Sequence, residues 1–107
     1  MDLTQKKCVP CEVGAEPMDA ATVAEYAKNI PMWNVTDNKL LTREFKFKDF
    51  KESMQFVLKV AELAEAEGHH PDMYIFYNVV RLELSTHAVK GLSENDFILA
   101  AKIDPVV

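Results

Sequence analysis

The chain has 107 residues, a mass of 12.1 kDa and a formal charge of −5. That length suits one domain spanning residues 1–107, because a second would lack residues for its own core. With 49% hydrophobic and 27% charged residues the chain is not a disordered one, and its acidic balance excludes nucleic acid as a direct partner.

No apolar run approaches the ~20 residues a membrane helix needs. The start, Met1 to Lys7, lacks the apolar stretch of a signal peptide. The expected compartment is the cytoplasm, where Cys8 and Cys11 stay reduced. Residues 1–17 hold Pro10, Gly14 and Pro17 without a clear period, and read as a loose N-terminal arm.

A first helix starts after Asp19, an N-cap residue type, and ends before Pro31. A hairpin follows, with Trp33 to Thr36 and Leu40 to Phe47 flanking Asp37-Asn38, which tolerate the positive φ of a tight turn. Alternation puts Leu41, Arg43, Phe45 and Phe47 on one face and Thr42, Glu44 and Lys46 on the water side. A long helix opens with the capping-box spacing of Asp49 and Glu52 and closes at Gly68. Its apolar stripe is wide: Phe50, Met54, Val57, Leu58, Ala61 and Ala64 form one row, and Phe56, Val60 and Leu63 a second. The excess over one sheet face predicts self-association, assigned to the Phe56/Val60/Leu63 row. From Met73 to Thr86 the chain is rich in β-formers, and periodicity leaves open one bent strand or two. A last helix begins at Ser93, with a capping box to Asp96 and a staple from Leu92 to Phe97, and ends at Pro105. The order α-β-β-α-β(β)-α describes an α+β fold, with helices on one face of an antiparallel sheet.

Chemistry concentrates in few residues. His69 and His70 are adjacent between a helix end and Pro71, and His87 ends a strand. Imidazole gives and takes protons near neutral pH, so these three are the acid/base candidates. The plainer alternative makes His69 and His70 cations at a helix C-terminus and His87 an exposed strand-end residue. Asp96 either orients a histidine or only caps its helix. Metal binding by the histidines is weakly signalled, since no HExxH-type pair exists. Cys8 and Cys11 form one Cys-x-x-Cys with neither a second pair nor a βαβ context, which argues against zinc or redox use. There is no Gly-rich phosphate loop and no nucleophile elbow, so proton transfer is what remains.

These residues are similar to a known family. Phe45 to Phe50, Gly68-His69-His70-Pro71-Asp72, Tyr77-Asn78-Val79, Leu84-Ser85-Thr86-His87 and Gly91-Leu92-Ser93 with Asp96 resemble the pterin-4a-carbinolamine dehydratase family over residues 18–104. Asp72 stands where animal members usually carry Glu. The resemblance implies a four-stranded antiparallel sheet with three helices packed on one face, α-β-β-α-β-β-α, hence two strands after Pro71. It implies dehydration of 4a-hydroxytetrahydrobiopterin to the quinonoid dihydropterin, in tetrahydrobiopterin recycling. His69, His70, His87 and Asp96 match the family's site, and the chemistry calls for no cofactor and no metal. His69 and His87 take the acid/base roles, His70 positions the ring, and Asp96 holds a histidine in one tautomer. The implied partners are the pterin substrate and further copies of the chain, as dimer or tetramer. Because family members also bind proteins, as when the animal form stabilises a transcription-factor dimer, a protein-binding assembly role is the alternative. Binding of another pterin, such as molybdopterin, shares the same histidines.

Overall fold

The computed structural model describes residues 1–10 and 13–107, so Cys11 lies outside the described residues. In chain order it runs α1 (Ala20–Ala27), β1 (Asn34–Thr36), β2 (Leu40–Lys46), α2 (Phe50–Glu67), β3 (Asp72–Phe76), β4 (Val79–Leu84) and α3 (Glu94–Ile103). The strands form one antiparallel sheet in the order β1-β2-β4-β3. This is the expected α+β fold, with two strands after Pro71.

Local chemistry accounts for the element ends. Asp19 caps α1 by accepting the Thr22 N–H at 2.8 Å. The Asp49 carboxylate accepts the Glu52 N–H at 2.9 Å, and Glu52 reaches back to the Lys48 N–H at 2.9 Å. Asp37 and Asn38 both take positive φ in the β1–β2 turn. The β3–β4 turn puts Tyr77 at φ 54°, an unfavourable place for an aromatic residue.

The helical face of the sheet carries Leu41, Phe45, Val80, Leu82 and Leu84, all buried. Phe56 and Val60 of α2 pack into this core, with Phe45 and Phe56 ring centroids 4.6 Å apart. Tyr26 of α1 meets Phe97 of α3 at 5.3 Å. Arg43 and the indole of Trp33 both donate to Asp104, at 2.6 and 2.7 Å, fastening the C-terminal turn to the first hairpin.

Three expectations need correction. The arm is docked, not loose: Leu3 is 2% exposed in the main core, and Lys6 pairs with Glu94 at 2.8 Å. The division of α2 into an inner and a free row does not hold: Phe56 and Val60 of the second row and Ala64 of the first are all buried. Ser53, Phe56, Val60 and Ala64 face the core, because the Ser53 hydroxyl donates to the Asp49 carbonyl at 3.2 Å and so tolerates burial. Phe50 and Leu58 are the exposed ones, so the Phe56/Val60/Leu63 row is not the free surface. Thr42 is also buried at 6%, because β2 is an interior strand and Thr42 lies between Asn34 and Glu83. Among the described residues no helix is long and apolar enough to cross a membrane.

Candidate active site

α2 ends where Gly68 turns left-handed at φ 68°, a conformation that favours glycine. The next residue, His69, leaves the helix with its N–H still bonded to the Ala64 carbonyl at 3.2 Å. Pro71 behind it is buried and restricts the loop. His69 thereby faces the N-terminus of α3, where its Nε2 lies 2.6 Å from Asp96 Oδ1.

Asp96 is fully buried and well supplied with donors. Its Oδ2 accepts the Ser93 N–H at 3.0 Å, which completes the capping box of α3. The same oxygen accepts the Thr86 hydroxyl at 2.7 Å, and that hydroxyl also lies 2.7 Å from Ser93 Oγ. One carboxylate oxygen thus meets the His69 ring, and the other caps the helix. A carboxylate here only accepts, so a neutral His69 keeps its proton on Nε2 and its lone pair on Nδ1.

His87 borders the same cavity as His69. After β4 the chain forms a short 3-10 turn, His87–Val89, closed by the Thr86 N–H on the Gly91 carbonyl at 2.8 Å. Gly91 must be glycine, because a Cβ there would sit 2.8 Å from Pro17 Cβ. His87 is exposed, as is His70, whose ring bonds to the exposed Glu65 carboxylate.

All three histidines line one cavity of about 410 Å³. That volume suits a small heterocyclic ligand. Val9 and Pro10 of the arm form a further part of its wall, together with Asn95. Sequence reasoning missed these three. Nothing in the arm's pattern signals a pocket, and Asn95 sits unremarked inside a capping box. Asp72 and Glu83 also border the cavity.

The arm cysteine is not poised for chemistry. Burial, and then the nearby Glu67 carboxylate, push the Cys8 thiol up to about 12, so the sulfur stays protonated near neutral pH. The Lys102 ammonium and the Cys8 N–H, at 2.8 and 2.9 Å, hold the Glu67 carboxyl below its ordinary range.

Residues 16–106 match the family profile described as pterin 4 alpha carbinolamine dehydratase. A protein of Halorhodospira halophila, provisionally named a pterin-4-alpha-carbinolamine dehydratase, is 46% identical over 97% of this chain and 96% of its own. One of the same provisional name from Alkaliphilus metalliredigens is 43% identical over 96% of this chain and 94% of its own. A crystal structure described as a transcriptional coactivator/pterin dehydratase from Brucella melitensis superposes with a TM-score of 0.79 at 32% identity, over 85% of this chain and 98% of that one. The double histidine after α2, the third histidine after β4 and the buried carboxyl thus sit on a shared fold, and the chain belongs to the pterin-4-alpha-carbinolamine dehydratase family.

Proposed function

We propose that the protein dehydrates 4a-hydroxytetrahydrobiopterin to quinonoid dihydropterin by histidine acid/base catalysis, in the recycling of tetrahydrobiopterin in the cytoplasm. The observation that carries this reading is the single cavity lined by His69, His70 and His87, with His69 tied to a buried carboxylate.

The reaction breaks the C4a–O bond. The departing oxygen takes a proton and leaves as water, while the neighbouring ring nitrogen loses a proton and forms the new double bond. One base and one acid therefore suffice. His69 is suited to be the base. With Nε2–H directed at Asp96, its free Nδ1 accepts the ring proton, and the carboxylate stabilises the imidazolium that results. His87, exposed on the 3-10 turn, is suited to deliver the proton to the leaving hydroxyl. His70 leans on Glu65 at the rim and fits a positioning role.

The direct test is the rate of dehydration of synthetic 4a-hydroxytetrahydropterin. Acceleration well above the spontaneous rate is expected. An unchanged rate would overturn the dehydratase reading and favour the protein-binding alternative, in line with the word coactivator in the description of the Brucella relative.

Self-association, as dimer or tetramer, belongs to the same reading. Phe50 is 49% and Leu58 61% exposed on the outward side of α2. β3 is an edge strand carrying exposed Tyr74, Ile75 and Phe76. Phe50 stacks on Tyr77 at 6.5 Å, which makes the two surfaces continuous. A second copy of the chain is the natural cover for such a belt, since an open apolar edge strand pairs readily with its own kind.

A further inference from the structure

Val9 and Pro10 precede the stretch that matches the family profile, yet both line the cavity that the three histidines border. Asn95 fastens them. Its Oδ1 accepts the Val9 N–H at 3.0 Å, and its Nδ2 donates to the Val9 carbonyl at 2.5 Å. Asn95 is 4% exposed, so this paired contact is made away from competing water. One residue earlier, the Cys8 N–H donates to Glu67 Oε1 at 2.9 Å, and Glu67 Oε2 accepts from Lys102 at 2.8 Å. The Cys8 sulfur lies 3.6 Å from the Asn95 carbonyl oxygen. Leu3, inserted in the core, secures the far end of the arm.

The fastening also decides what the wall offers. Both backbone groups of Val9 are engaged by Asn95, and Pro10 has no N–H to present. What Val9 and Pro10 leave to the lining is their aliphatic side chains, in the same cavity that the three imidazoles border. Aliphatic lining beside hydrogen-bonding imidazoles suits a flat heterocycle with polar edges.

We infer that the Val9–Pro10 wall covers one side of the bound pterin and sets its affinity, with Asn95 as the residue that positions the wall. This rests on the pterin reading above. The wall holds no group that gains or loses a proton. It contributes equally to ground state and transition state, so it governs KM and leaves kcat alone.

The test pairs two variants with hydrogen exchange of the arm amides. Asn95→Ala removes the fastening and is expected to raise KM about tenfold, with kcat within about twofold, as fits the loss of one apolar cover. The amides of residues 3–10 should lose protection in that variant. Val9→Trp, at a residue 63% exposed, adds bulk to the wall without disturbing the core. It is expected to raise KM while keeping arm protection. If Asn95→Ala fails to fold, Val9→Trp decides alone. An active wild-type protein whose variants keep KM, or lose kcat instead, overturns the wall and leaves the dehydratase intact. A wild-type protein that neither binds a tetrahydropterin nor speeds dehydration overturns the pterin reading, and the wall with it.

Discussion

Asp96 holds His69 with one carboxylate oxygen, at 2.6 Å, and caps the helix on which it rides with the other, at 3.0 Å. The helix end and the imidazole are therefore oriented by a single fully buried group. Asp96→Asn separates the two tasks. One amide oxygen cannot serve both the Ser93 N–H and the His69 Nε2–H; if it keeps the cap, the new NH₂ faces His69 and selects the tautomer whose Nε2 accepts, which moves the proton to Nδ1. The expected stability loss is about 1 kcal/mol, typical of a damaged cap. kcat should fall too, though less than on removal of His69 itself. Denaturant titration beside steady-state kinetics reads both, and an unchanged kcat would detach Asp96 from the chemistry.

Removal of one general acid or base typically lowers a rate ~10²–10⁴-fold. His69→Ala and His87→Ala are each expected to lower kcat within that range, more than they raise KM. His70→Ala should mainly raise KM, since its ring is held at the rim by Glu65. EDTA should leave the wild-type rate unchanged, because the proposed proton transfers use imidazoles alone. Full activity of the His69/His87 double variant, or inhibition by EDTA that zinc reverses, would rule the assignment out.

Cys8 should be slow to modify. Its thiol is held up to about 12 by burial and by Glu67, so little thiolate exists at pH 8. In a Cys11→Ser background, a disulfide reagent should react far more slowly with the native protein than with the protein in guanidinium. Equal rates would mean that the arm is not docked in solution.

The arm's attachments should weaken in acid. The Glu67 and Glu94 carboxyls both lie below their ordinary range, Glu67 through Lys102 and the Cys8 N–H, Glu94 through Lys6 and the Tyr26 hydroxyl. A depressed carboxyl adds stability that is present above its unfolded value and is lost as pH falls through its folded one. Stability should hold down to about pH 5 and then decline below the usual carboxylate range. Glu67→Gln should flatten that decline while lowering stability at neutral pH. A parallel acid limb in the variant would assign the effect elsewhere.

Light scattering at micromolar concentration should give a multiple of the 12.1 kDa chain mass. Leu58→Lys combined with Ile75→Lys, at sites 61% and 39% exposed, should return the monomer without loss of fold. A wild-type mass of one chain would dismiss the assembly.

Features written in neighbouring residues were legible in the sequence. Asp49 with Glu52 and Gly68 mark the ends of α2, and Asp37-Asn38 marks the first turn, because caps and turns depend on residues within a few positions. The β3–β4 turn was not legible by pattern, since Tyr77 is a poor turn residue, and only the family resemblance separated the two strands. The core side of α2 was misread because Ser53 looks polar but hides its hydroxyl on the helix backbone. Of the site, the histidines and Asp96 could be listed but not joined, for His69 and Asp96 are 27 positions apart. The wall was invisible: Val9 and Asn95 lie 86 positions apart, and no local rule links them.

That separation has a consequence for how the protein can fail. The cavity borrows from the arm, the end of α2, the end of β4 and the start of α3, segments drawn from nearly the whole chain. No contiguous half of the sequence contains it, and a partly folded state that lacks the end of α2, the end of β4 or the start of α3 loses its imidazoles or the buried carboxylate. Activity should therefore disappear together with the global fold, in one transition. The only tryptophan, Trp33, is 6% exposed and bonded to Asp104 at the opposite end of the chain, so its emission reports that fold independently. Turnover and tryptophan emission followed along one urea series should share a midpoint, making this small protein its own gauge of intactness.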